Sequence, residues 1–187
     1  AHIIPVTEFR AAMIVGAGSI SFEIVRYLTE RLPVMIGPSW LFTPTQPIAI
    51  GDVLEYLCAA LQTPESAGEI VEIGGADVLS YREMIFTYAR QRNLKRLMIP
   101  VPVLTPYLSS HWVHMMTPIP ASIIRPLVEG LRNKMIVEED TAARLFPGIR
   151  PVGFETAVAQ ALEELDAQRV ETTWTDSMAA SWRQDET

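Results

Sequence analysis

The chain has 187 residues, 49% of them hydrophobic and 20% charged, a balance that excludes a disordered or fibrous protein and suits one domain with a real core. The formal net charge is −7 and the only lysines are Lys95 and Lys134, so no nucleic-acid partner is expected, because phosphate binding needs clustered cations. The single cysteine, Cys58, excludes an internal disulfide and a cysteine zinc cluster, and its apolar setting reads as that of a small buried hydrophobe.

Val6 to Val15 is a mixed-to-apolar run ending in Gly16-Ala17-Gly18-Ser19, which predicts one strand and a tight turn. Ser21 is a plausible N-cap for a helix to Leu32, with Phe22, Val25, Leu28 and Leu32 at helical spacing. Pro33 to Pro47 predicts a loop with one short strand at Val34-Met35-Ile36. Asp52 follows a short apolar stretch and is expected to begin and cap a helix to Leu61. Gly68 to Gly75 alternates and ends in paired glycines, a strand and a turn. Ser80-Tyr81-Arg82-Glu83 has capping-box spacing and opens a helix to about Arg92. Leu97 to Val101 predicts a strand. Helices are expected over Leu104 to Met116, Ala121 to Leu131 and Glu138 to Phe146. Phe154 to Ala167 carries the clearest apolar stripe, and the tail 168–187 is polar apart from Trp174 and Trp182. Leu97 to Ile124 has no Asp, Glu, Lys or Arg, but Pro100, Pro102, Pro106, Pro118 and Pro120 break it, so no stable membrane span is expected. The start, AHIIPVTEFR, lacks the apolar core of a secretory signal, and a cytoplasmic location is the simplest expectation.

Alternating strands and helices predict an α/β fold with a mostly parallel sheet. Only three or four strands are legible, nearly all in the first hundred residues. The division is therefore 1–96, the end of the sheet, 97–167, a predominantly helical region, and 168–187, a tail, all within a single unit.

The chemistry-bearing patterns are sparse. Gly16-Ala17-Gly18-Ser19-Ile20-Ser21 approximates the G-x-G-x-x-G fingerprint, with Ser21 where the third small residue belongs. No acidic residue lies between Glu30 and Asp52, so the loop reads as crevice lining rather than a primary dinucleotide grip. None of the five tyrosines has Lys four residues later, and Tyr27–Arg31 and Tyr88–Arg92 read as helix-surface pairs. His111 and His114 share a helix face without a carboxylate or third histidine, which suits polar lining of a pocket better than a metal. No nucleophile elbow exists. No catalytic and no metal-ligating residue is assigned.

Several segments together resemble one family. Pro5-Val6-Thr7-Glu8-Phe9-Arg10-Ala11-Ala12-Met13-Ile14-Val15-Gly16 looks like the late, Arg-containing strand and Gly-rich loop of extended and atypical short-chain dehydrogenases. Gln46-Pro47-Ile48-Ala49-Ile50-Gly51-Asp52-Val53 looks like their apolar segment that opens a helix at Asp-Val. Gly68 to Gly75 followed by Ser80-Tyr81-Arg82-Glu83 looks like the next strand and helix start. The resemblance is to NAD-dependent epimerase/dehydratase-like and NmrA-like proteins, over about residues 5 to 165. It implies a partial Rossmann-like parallel sheet with a helical substrate-side region, beginning after the nucleotide fingerprint and the Tyr-Lys pair. It implies NAD or NADP as the cofactor of the whole protein, with Gly16, Gly18 and Ser19 closing over its nicotinamide end. Phe22, Trp40, Thr45 and Gln46, together with His111 and His114, are the expected substrate-pocket residues. The function implied is the substrate-side part of an NAD(P)-binding oxidoreductase or epimerase acting on a small molecule, not competent alone. The other reading is a non-catalytic nucleotide- or ligand-sensing or assembly module of the same fold. A part-sheet is also expected to self-associate or to pair with an N-terminal half.

Overall fold

The computed structural model describes residues 5–101, 130–131 and 133–167. The predicted helices at 104–116 and 121–131 lie outside these residues except at Gly130 and Leu131, and the tail 168–187 lies wholly outside them.

Eight short strands occur among the described residues, twice the number legible in the sequence. The predicted first strand is two, β1 (Glu8–Ala11) and β2 (Ile14–Val15), because the break at Ala12-Met13 lets the segment pair with two different neighbours. The next strand, β3 (Val34–Pro38), runs further than expected and leads into a 3-10 turn, Ser39–Phe42. It is followed by β4 (Pro44–Thr45), β5 (Ile48–Ala49), β6 (Ile70–Ile73), β7 (Leu79–Ser80) and β8 (Leu97–Val101). Three pairs are parallel: β1 with β6, β2 with β5, and β3 with β8; β4 and β7 pair antiparallel. Parallel pairs need crossovers, and helices α1 (Ile20–Arg31), α2 (Ile50–Ala60) and α3 (Tyr81–Gln91) supply them. Two later helices, α4 (Thr141–Leu145) and α5 (Phe154–Asp166), complete the described chain. This is the mixed α/β arrangement with parallel strand pairs expected from the alternation, and the Rossmann-like arrangement implied by the resemblance.

The main core lies between α1, α3 and α5, where Phe22, Met84, Tyr88 and Val158 are fully buried. A smaller core joins Phe9, Tyr56, Val71 and Phe146, with the Tyr56 and Phe146 rings edge-to-face at 5.6 Å. Tyr88 is therefore no surface partner of Arg92. It packs edge-on to Phe22 at 6.0 Å and donates to the Glu30 carboxylate at 2.6 Å. Arg96 donates to the carbonyls of Thr29 and Glu30, covering the last turn of α1 and holding β8 beside β3.

Helix starts follow the sequence at α3 and depart from it elsewhere. The reciprocal Ser80–Glu83 capping box is present. At α1 the start is Ile20 after Ser19, whose hydroxyl donates instead to the Ile14 carbonyl at 2.8 Å. At α2 the helix starts two residues before Asp52, which sits in the first turn and accepts the Val152 N–H at 3.0 Å. Burial raises the Asp52 carboxyl above its ordinary range, while the Val152 and Ala49 N–H groups pull it back. Cys58 is exposed, contrary to the expectation from its neighbours, because α2 buries the face of Asp52 and Tyr56 and turns the opposite side outward.

The turn after β6 passes so close to the β4–β5 connection that a side chain would not fit. A Cβ on Gly75 would lie 2.2 Å from the Pro47 carbonyl oxygen, which accepts the Gly75 N–H at 3.0 Å. Gly51, by contrast, stands in open space within α2. Gly75→Ala should destabilise the fold by about 1–3 kcal/mol through overpacking, whereas Gly51→Ala should stabilise it by up to about 1 kcal/mol through helix propensity. Urea denaturation of the two variants checks the opposite signs.

Candidate functional site

Three strands deliver residues to one end of the fold. Val15 ends β2 and leads into Gly16–Ser19; Ala12 and Met13 follow β1; Trp40 and Leu41 follow β3. In parallel α/β sheets the carboxyl ends of strands are where ligands bind, because the loops there are free of sheet pairing and face helix N-termini.

A cavity of about 230 Å³ opens at this end, among Met13, Ile24, Trp40, Leu41, Tyr81 and Met135. Ser21 and Tyr81 are the polar side chains among its lining residues. Trp40 and Tyr81 stand edge-to-face at 6.1 Å. The Tyr81 hydroxyl and the Thr45 hydroxyl are buried without a hydrogen-bond partner among the described residues. Thr45 is near enough to temper the Tyr81 phenol, yet the two do not meet in hydrogen-bonding geometry. Burial dominates and pushes Tyr81 up to about 12. Tyr88 is raised as well, first by burial and then by its bond to Glu30.

The expected pocket residues separate into three groups. Trp40 lines the cavity and Thr45 lies behind it, fully buried. Phe22 is core, entirely buried against Tyr88, and is absent from the cavity lining. Gln46 has its amide committed to the backbone: Nε2 donates to the Gly75 carbonyl at 2.8 Å and Oε1 accepts the Val137 N–H at 2.9 Å. It lines a separate cleft with Arg10, Glu72 and Lys134. His111 and His114 lie outside the described residues. Tyr81 was legible only as the residue after a helix cap. Nothing in its spacing announced that α3 begins beside β4.

The Gly16–Ser19 loop forms a tight turn, with the Ser19 N–H donating to the Gly16 carbonyl at 3.2 Å. Gly18 has φ +80°, a conformation that side chains resist. Gly16 opens onto a groove of about 550 Å³ shared with Ile50, Leu54, Ala161, Glu163 and Glu164. Two carboxylates in this groove disfavour a pyrophosphate.

No protein-family model and no curated protein matches the chain. Solved structures do. An epimerase from Methanothermobacter thermautotrophicus aligns with TM-score 0.59 at 14% identity, covering 91% of this chain and 47% of that one. An NADPH-dependent quinone oxidoreductase from Escherichia coli aligns with TM-score 0.58 at 11% identity, over 74% of this chain and 52% of that one. The dTDP-4-dehydrorhamnose reductase from Bacillus anthracis, solved with NADP, gives TM-score 0.57 at 13% identity, over 83% and 47%. The chain shares the fold of these reductases and this epimerase. It spans about half the length of the solved structures it matches.

The buried phenols make a pH prediction. An unfolded tyrosine ionises near 10, below the folded-state value of Tyr81, so the stability Tyr81 lends is whole below about pH 10 and fades as pH rises toward 12. At pH 11 the native protein should therefore show less phenolate absorbance at 295 nm than the same protein in urea. Equal absorbance in the two states would show that Tyr81 and Tyr88 are not shielded.

Proposed function

We propose that this chain supplies the substrate-facing part of an NAD(P)-linked reductase or epimerase, and that the cavity between Trp40 and Tyr81 receives the substrate. The observation that carries the reading is the place of that cavity: it lies where β1 and β3 end, and its lining includes Ser21, two residues after the Gly16–Ser19 loop that follows β2. The shared fold with NAD(P)-linked enzymes supports it. Gly16, Gly18 and Ser19 would lie along the nicotinamide end of a bound cofactor, which supplies or accepts hydride when present. The chain's own part is to hold the substrate in an apolar setting that keeps water from it. No tyrosine here has a lysine four residues on, so the proton-transfer pair of short-chain dehydrogenases is not supplied by this chain.

Calorimetric titration of NADH and NADPH into the full-length protein tests this reading. Binding of one of them, weakened by Gly18→Val, is expected. No binding of either would remove the nicotinamide reading and leave a ligand-sensing module of the same fold.

Two exposed apolar faces favour an assembly role alongside it. The parallel register of β3 and β8 sets Val34 beside Leu97 and Ile36 beside Ile99, all four exposed on one face. Helix α2 and the residue after it expose Ile50, Leu54, Leu57 and Leu61, a stripe at helical spacing. A second copy of this chain would cover such faces. Sedimentation of the chain should show a dimer or larger species at tens of micromolar; a compact monomer would reject self-association.

A further inference from the structure

Helix α2 presents its apolar stripe to solvent. Leu54 is 53% exposed and Leu61 89%, with Ile50 and Leu57 exposed between and before them, so the stripe is not the rim of a core. Leu61 is the C-cap and keeps helical angles, φ −63° and ψ −22°, so it prolongs the stripe. The other side of the helix, at Asp52 and Tyr56, is buried in the fold.

The spacing of the stripe says what shape covers it. Steps of four, three and four residues form the narrow seam that one helix presents to another, whereas a helix against a broad core carries a wider apolar face. The order also reads the same from either end. A second α2 laid antiparallel therefore sets Ile50 against Leu61 and Leu54 against Leu57, a self-complementary pairing about a twofold axis. It also brings the positive end of each helix beside the negative end of the other.

Charge narrows the choice of partner. A net charge of −7 makes two copies repel through most of their surface. The residues beside the stripe are uncharged: Gly51 and Cys58 on one side, Val53 and Ala60 on the other. The two carboxylates of α2 lie elsewhere, Asp52 on the buried face and Glu55 roughly 130° around the helix from the stripe. A second copy thus meets no like charge along this seam, and a basic partner would find no carboxylate there to attract it. Ile50 and Leu54 also border the groove that contains Ala157 and Ala161 of α5, small residues beside which another helix can settle. Glu163 and Glu164 flank that groove, and the partner residues that follow its stripe, Gln62 and Thr63, are uncharged. Two three-turn helices cover less than the roughly 1,200 Å² of a stable interface, so the pair is a weak one.

We propose that α2 is a self-docking surface, through which two copies of this chain pair by antiparallel α2 helices with Leu54 and Leu57 of both at the centre. This rests on the self-association reading above and assigns it to α2 rather than to the β3–β8 face. Cys58, the only cysteine, is exposed beside the stripe. In the antiparallel pair both copies of Cys58 fall on the same side, offset by roughly 8 Å along the helix axis, within reach of a short bismaleimide.

The test compares the full chain with its Leu57→Glu and Ile36→Glu variants by sedimentation at tens of micromolar, and treats each with a short bismaleimide. Both substitutions fall on exposed side chains, and an unchanged urea midpoint checks that each variant folds. Expected are a dimer for the native chain, a dissociation constant raised at least 10-fold by Leu57→Glu, and no change with Ile36→Glu. A covalent dimer joined at Cys58 should form in the native chain and in Ile36→Glu, and be lost in Leu57→Glu. A dimer that survives Leu57→Glu and is lost with Ile36→Glu would overturn the α2 seam and keep self-association. A dimer that resists cross-linking at Cys58 would overturn the antiparallel pairing. A native chain that stays monomeric would overturn self-association altogether and leave the seam to a different protein segment.

Discussion

The side chain of Gln46 holds together segments that the chain order keeps far apart. Its amide nitrogen donates to Gly75 after β6, its amide oxygen accepts from Val137, and its backbone N–H donates to the Met135 carbonyl at 2.8 Å. Met135 returns a bond from its own N–H to the Pro44 carbonyl at 3.2 Å. The segment 135–137 is thereby laid along Pro44–Gln46, with Met135 opposite Thr45 and against the cavity. Loss of the amide would strand a carbonyl and an N–H in a partly buried place, and each orphan costs about 1–3 kcal/mol. This one bridge braces the cavity wall at Met135 and the close pass of Gly75 over Pro47.

Helix α5 is placed by the same kind of borrowed partner. Its N-cap is Gly153, which has no side chain to offer the first N–H groups. Asp77, in the turn beyond β6, accepts the Phe154 N–H at 2.8 Å, and Asp52 in α2 accepts the Val152 N–H just before it. Asp77 thus caps the helix from outside its own sequence, favourable at the positive end of its dipole, and Asp52 fixes the chain just before the N-cap. Phe154, Ala157, Val158 and Ala161 can then bury against α3 and the sheet.

Local patterns were legible where the partners are local. The Ser80–Glu83 box depends on neighbours three residues apart, and the α5 stripe and the strand at Leu97–Val101 show in the residue pattern of each segment itself; all three stand where the pattern puts them. What failed was set by distant contacts. Asp52 looked like a cap because an Asp before a helical run often is one; here the Ala49 N-cap precedes it, and its carboxylate turns to a residue a hundred positions away. Cys58 looked buried because its neighbours are apolar, but α2 has apolar residues on both faces and only the fold decides which face is covered. The two-residue strands β2, β4, β5 and β7 are too short for any periodicity to show. For the site, the family resemblance led to Trp40, which lines the cavity, and to Thr45, which lies buried near it. It led equally to Phe22, which shares α1 with cavity residues but lies on the turn that faces Tyr88.

The distribution of charge explains how one chain contains both a dry cavity and a net charge of −7. The ionic network of the helical layer gathers where α1 ends: Glu30 accepts Tyr88, pairs with Arg26 at 3.3 Å and approaches Arg92 at 3.9 Å, and Arg92 reaches Asp166 at 3.6 Å. With Glu23, which also pairs with Arg26, these α1 groups share one face of the helix, whereas Ser21, Ile24, Val25 and Leu28 face the cavity. One helix therefore separates the two environments between its two faces. Its C-terminal end accepts Arg96 and fixes β8 beside β3, and that pairing carries β3 forward to set down Trp40 and Leu41. The charged face of α1 builds the frame, and its apolar face is left to line the cavity.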